Sequence, residues 1–168
     1  AAQGVNFLHE HPTVDPTHTG LIGISLGISS AMGAARLLAA SGRPVQWLID
    51  WEGPCDQESI TAKQTMNAPA MGHKSSDRTY WEPREALTHM PYIQCGYHRL
   101  QAHPDHAQPD ELDHAMKMIA AASKAQLPWV RLNKETVHTV PTNPRWLAPG
   151  PLAANRAILH AVQNLLKG

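Results

Sequence analysis

Apolar positions along the chain group into short continuous runs separated by longer stretches of helical spacing. Ala1 to His9 (AAQGVNFLH) places Val5 and Leu8 on one face with Ala1 or Ala2, which predicts an amphipathic helix. His11 to Thr19, with two prolines, predicts a turn. Leu21 to Ile24 (LIGI) is short, apolar and bounded by turn residues, as a buried parallel strand is. Ser29 to Ala40 is rich in Ala, Leu, Met and Arg and predicts a helix stopped by Gly42. Pro44 to Asp50 (PVQWLID) predicts a second strand. Pro91 to Ala102 contains a third, in its latter half, and Pro128 to Asn133 (PWVRLN) is a fourth. Between the last two, Pro109 to Lys124 has amphipathic spacing. Ala153 to Lys167 predicts a final helix with Ile158, Leu159, Val162, Leu165 and Leu166 on one face.

Strands alternating with helices predict an α/β fold: three α/β/α layers around a mostly parallel sheet. Residues 1–168 read as a single domain, with no repeat or low-complexity segment. Residues 51–90 form a long excursion with short helical pieces, longer than an ordinary connection. Such an excursion either lines a site, through WEGPCD, Gly72-His73 and Tyr80-Trp81, or merely covers the sheet.

The run Gly23-Ile24-Ser25-Leu26-Gly27 is G-x-S-x-G between a predicted strand and a predicted helix. A serine on so sharp a turn lies in a strained conformation. Glycines two residues to either side spare a Cβ clash. The turn lifts Oγ above the carboxyl edge of the sheet, and the Leu26 N–H, at a helix N-terminus, is placed to bind an oxyanion. The plainer alternative is a tight strand–helix join capped by Ser25.

A serine hydroxyl needs a base, and the base needs an orienting acid; in folds that carry this strand–elbow–helix motif they follow in the chain order Ser, Asp or Glu, His. Asp105, in AHPDHAQP after the third strand, is the expected acid, with Asp56 and then Asp50 in reserve. His138 is the only histidine between the fourth strand and the last helix, and is the expected base, with His73 as alternative.

Composition narrows the alternatives. Fourteen basic residues balance fourteen acidic ones, and no basic stripe with interleaved aromatics marks a nucleic-acid surface. No apolar run reaches the roughly 20 residues of a membrane span, and no signal peptide is expected from the opening residues. Cys55 and Cys95 are too few for a disulfide framework and read as separate core residues. Eleven histidines invite a metal, but His9-Glu10-His11 and His103-Pro104-Asp105-His106 lack metal-ligand spacing, so neither metal nor cofactor is expected.

The segment NFLHEHPTVDPTHTGLIGISLG resembles the helix, Val-Asp-Pro turn, strand and elbow of α/β-hydrolases, nearest to the dienelactone hydrolase and prolyl-oligopeptidase-like branch. AHPDHAQP resembles that family's G-x-x-D-x-x-x-P phrase, with Ala102 in place of Gly, and Val137 stands where a Gly usually precedes the base. The resemblance implies Ser25 as nucleophile, Asp105 as acid, His138 as base and Leu26 as oxyanion donor. The substrate implied is a small ester or, less favoured, a peptide-like amide. It also implies that the fold's N-terminal strands, with the loop supplying a second oxyanion donor, are missing. The rival expectation is a truncated or degenerate hydrolase domain that binds without catalysis and self-associates through an exposed sheet edge.

Overall fold

The computed structural model describes residues 1–61, 72–104, 113–138, 148–149 and 153–166. In chain order its elements are α1 (Ala2–His9), β1 (Gly20–Ile24), α2 (Gly27–Ala40), β2 (Trp47–Trp51), α3 (Gln57–Thr61), α4 (Arg78–Trp81), α5 (Ala86–His89), β3 (Gly96–Leu100), β4 (Ala102–His103), α6 (Asp113–Lys124), β5 (Val130–Leu132), β6 (Glu135–Thr136), β7 (Ala148–Pro149) and α7 (Ala154–Leu165). The main sheet has the order β1-β2-β3-β5-β6, parallel except for β6, and β4 pairs with β7 in a separate parallel ribbon.

The pleat sends alternate residues to opposite faces, and each face has its own cover. Leu48, Tyr97 and Val130 join Ile28, Met32 and Leu38 of α2 and Met118 and Ile119 of α6 in the larger core. On the other face Ile49, Trp51 and Leu100 pack against Ala161 of α7, with Ile158, Val162 and Leu165 beside it. This is the three-layer α/β/α arrangement. Leu159 and Leu166 lie outside the helical face expected of them, at 58% and 59% exposure.

One row across the sheet has no counterpart in the linear pattern. Gly20 lies opposite Trp47, Trp47 opposite Gly96, and Gly96 beside Trp129. A Cβ on Gly20 would fall inside the Trp47 indole, and one on Gly96 inside that of Trp129. Each indole thus lies over the bare backbone of its neighbour.

The expected elements are present with shifted ends. The first strand starts one residue early at Gly20, and the helix after it begins at Gly27 rather than Ser29. The fourth strand ends at Leu132, and a hairpin follows that the apolar pattern does not announce: Asn133, at φ 53°, turns the chain back into β6. Asparagine tolerates that left-handed conformation better than most residues, which is the one local signal for the turn. Among the described residues no helix is long and apolar enough to cross a membrane.

Candidate active site

Ser25 follows β1 directly and has φ 51°, in the left-handed region that a residue with a side chain occupies only at a cost of about 1–3 kcal/mol. Its N–H donates to Trp51 O at 2.9 Å, so the bend is fastened to the end of β2. Its carbonyl then accepts from Ile28 N–H at 3.1 Å, which opens α2. The preceding glycine is required: a Cβ at Gly23 would lie 2.6 Å from Ile28 Cα. The following one is not, because a Cβ at Gly27 meets nothing within 4 Å. Close approach at the bend thus demands a glycine before Ser25 but not the expected one after it. Leu26 sits at the head of α2, where backbone N–H groups lack intrahelical acceptors and favour a negative charge.

The neighbouring strand repeats the device. Glu52, one residue past β2, has φ 47° and donates its N–H to Leu100 O at 3.0 Å. Its carboxylate is buried and accepts from Ala102 N–H at 3.0 Å. Sequence reading missed this residue, since nothing in WEGPCD distinguishes a buried glutamate from an exposed one.

Beneath this edge lies a buried polar network. The Arg99 guanidinium, fully buried, donates to Asp50 Oδ2 at 2.6 Å and Gly53 O at 2.7 Å. It also donates to Gln101 Oε1 and to His114 Nδ1 at 3.1 Å. Burial opposes the charge on Arg99, but Asp50 and Tyr97 outweigh it and hold its pKa above the ordinary arginine value. Burial, with the Asp50 charge, pushes the Tyr97 hydroxyl well above the usual phenol value. Asp50 Oδ1 in turn accepts from Gly53 N–H at 2.9 Å. The network thus pins the Gly53 loop, whose backbone packs against Ile28 in the first turn of α2.

The reserve acids are committed elsewhere. Asp50 belongs to the network, and Asp56 caps α3 through Ser59 N–H at 2.9 Å while pairing with Lys117 at 2.8 Å. Burial would raise the Asp56 pKa, but the hydrogen bonds from Lys117 and Ser59 outweigh it and hold the carboxyl below its usual value. Asp105, the expected acid, lies outside the described residues. Both cysteines are free and buried, and burial pushes their thiols up to about 12, which disfavours a reactive thiolate at either.

The structure does not bring His138 to Ser25. Because β6 runs antiparallel to β5, the chain returns toward the amino end of that strand, and Val137 N–H donates to Val130 O at 2.8 Å. His138 there borders a cavity of about 250 Å³ with Pro128, Trp129 and Gln126. Ser25 stands at the carboxyl end of β1, at the opposite end of the sheet and on its far margin. His73 has different surroundings. Its ring stacks on Tyr80 with centroids 3.4 Å apart, and its Nδ1 lies 3.4 Å from Asp77 Oδ2. Tyr80 and Leu26 both pack on the buried pair Ile60 and Trp81, which ties this part of the excursion to the elbow.

Next to the elbow opens a cavity of about 770 Å³. Leu26, Gly27, Ile60, Trp81, Arg84 and His89 are among its lining, so the α2 head and the 51–90 excursion share it. Among the described residues no group of three or more His, Cys, Asp or Glu side chains is arranged to hold a metal ion.

No protein-family model matches the chain, and no curated protein matches it in sequence. Solved structures do match in shape. A puromycin-hydrolyzing peptidase of Mycobacterium tuberculosis superposes with a TM-score of 0.61 at 14% identity, over 96% of this chain and 23% of its own. An acylaminoacyl peptidase in complex with a chloromethyl ketone gives 0.64 at 14% identity, over 96% of this chain and 25% of its own. An esterase of Pyrococcus furiosus gives 0.54 at 13% identity, over 98% of this chain and 58% of its own. The chain therefore spans between about a quarter and somewhat over half of the length of these three structures. Identity this low speaks for architecture alone, and the architecture is a portion of the α/β-hydrolase fold.

Proposed function

We propose that the protein is a serine hydrolase acting on an ester bond, with Ser25 as nucleophile and the Leu26 N–H as an oxyanion donor. The observation that carries this reading is the left-handed backbone of Ser25, held between a strand end and a helix start. A residue that only capped a helix would have no need of that strain. In the proposed cycle a base takes the Ser25 hydroxyl proton as Oγ bonds to the acyl carbon, the Leu26 N–H binds the oxyanion, the ester C–O bond breaks and the alcohol leaves with that proton; water then attacks the acyl-serine, freeing the acid and returning a proton to Oγ. The cavity beside Leu26 is the proposed seat of the acyl group, with Trp81 and Ile60 as its apolar wall.

Chain order assigns the acid and base to Asp105 and His138. The β5–β6 hairpin places His138 at the other end of the sheet from Ser25, which weighs against it as the base. His73 is the alternative base, on the strength of its stacking on Tyr80. A fluorophosphonate probe is expected to label Ser25 and to fail on Ser25→Ala. Hydrolysis of short p-nitrophenyl esters should fall by about a thousandfold or more in that variant. His138→Ala and His73→Ala, measured side by side, assign the base to whichever substitution abolishes turnover.

The second reading is a binding module without catalysis. The distance of His138 from the elbow favours it, as does the outer margin of β1, which pairs with no strand among the described residues. Absence of labelling at Ser25 in folded protein would establish it over the first.

A further inference from the structure

Three of the four parallel strands in the main sheet end alike. Ser25 after β1, Glu52 after β2 and Asn133 after β5 each adopt the left-handed conformation, at φ 51°, 47° and 53°. The strand between the last two, β3, does not, and its chain runs on past Leu100 through Gln101 and Ala102. The left-handed residues on either side grip that extension. From the β2 side, Glu52 N–H donates to Leu100 O and Glu52 Oε1 accepts from Ala102 N–H, both at 3.0 Å. From the β5 side, Asn133 Oδ1 accepts from Gln101 N–H at 3.0 Å, and Asn133 Nδ2–H donates to Gln101 O at 2.8 Å. Side-chain groups thus continue the ladder where the neighbouring backbones have turned away.

Both gripping residues are themselves fixed. Asn133 N–H donates to Arg99 O at 2.8 Å, and the Asn133 carbonyl accepts from His98 Nε2–H at 2.7 Å. Glu52 is buried and follows Trp51, whose carbonyl accepts the Ser25 N–H. The bend at Ser25 and the exit of β3 are therefore registered to one another across β2, two strand spacings or about 10 Å apart. A buried carboxylate is a costly acceptor for a backbone N–H, and a left-handed backbone is strained for a glutamate. Both costs fall at the point where β3 leaves the sheet, at the same end as Ser25.

Three positions beyond Ala102 in the sequence comes Asp105, the acid of the proposed triad. We propose that Glu52 and Asn133 are positioning residues for that acid. They fix the point from which the Asp105 segment leaves the sheet, and so where its carboxylate meets the base. Neither takes part in the bond changes. The inference rests on the reading of Ser25 as a hydrolytic nucleophile.

The test is the pH profile of p-nitrophenyl butyrate hydrolysis by Asn133→Gly. Glycine keeps the left-handed backbone, so the hairpin stays while the grip on Gln101 is lost, and no charge changes. In that variant kcat should fall by about tenfold or more, with KM within about twofold of the parent. The acidic limb of kcat should move down by about one pH unit, because a base that loses its carboxylate partner is harder to protonate. Loss of fold stability alone would leave that limb in place. Glu52→Gly and Glu52→Gln lose the same charge, but the glutamine keeps an acceptor for Ala102 N–H and should recover most of what the glycine loses. That pair reads the same shift if Asn133→Gly does not fold. Parental kcat in the folded glycine variants, or a fall in kcat with the acidic limb unmoved, would overturn the positioning role and leave the Ser25 chemistry standing. A parent protein whose Ser25 resists a fluorophosphonate would overturn both.

Discussion

Gly23 and Gly27 look equivalent in G-x-S-x-G, and the backbone separates them. Gly23→Ala drives a methyl against the Ile28 backbone at 2.6 Å and is expected to destabilise by about 1–3 kcal/mol. Gly27→Ala enters open space in the first turn of a helix, where alanine is favoured, and should change stability by less than about 0.5 kcal/mol. Urea unfolding of the two variants, with matching slopes, checks the contrast. The sharp strand-to-helix bend at Ser25 was legible because three residue identities and a change of hydrophobic period coincide at one point. The position of His138 was not. Its placement depends on which way the chain turns after Leu132, and a single Asn133 at φ 53° decides that.

At the scale of the elements, β2 and β3 are joined by charge as well as by their ladder. Asp50 and Arg99 are paired residues of the register, both fully buried, and their bond holds the Gly53 loop against α2. Arg99→Met leaves the Asp50 charge buried beside Tyr97 without its guanidinium, and is expected to lower unfolding free energy by about 3–5 kcal/mol. Adding Asp50→Asn should restore part of that loss, because the uncompensated charge is then gone. Denaturant melts of the single and double variants measure the coupling. Strand and helix positions were legible here, since β2 and β3 read as apolar runs in PVQWLID and in the latter half of PYIQCGYHRLQA. The pairing of Asp50 with Arg99 was not, because it depends on a register between strands about fifty residues apart. The final helix shows the same limit. Helical spacing puts Leu159 beside Ile158 and Val162, yet α7 covers too narrow a strip of the sheet to bury it.

For the molecule as a whole, acid is the expected weakness. His89 and His98 both have pKa values below the ordinary 6.5, each chiefly through burial, with Arg36 acting on the first and Arg131 and His160 on the second. A histidine that resists protonation only when folded binds fewer protons in the native state than in the unfolded one. Its contribution is therefore fully present above about pH 6.5 and is lost as pH falls through the lowered native values. The Tm should hold steady from pH 8 to 7 and decline below about 6.5, and the decline should shrink in His89→Gln. The α/β architecture was legible because strand and helix periods alternate cleanly along most of the chain. The two-faced division of the core follows from strands buried on both sides, which apolar runs alone announce.

The indoles of Trp47 and Trp129 occupy room that exists only because Gly20 and Gly96 contribute no side chain. Neither partner is replaceable alone: a methyl on the glycine evicts the ring, and a trimmed ring leaves a hole over naked main chain. Gly20→Ala should harm the parent protein yet become tolerable once Trp47 is reduced to leucine. In a lineage of such sequences, these sites would drift as couples, changing together or staying fixed.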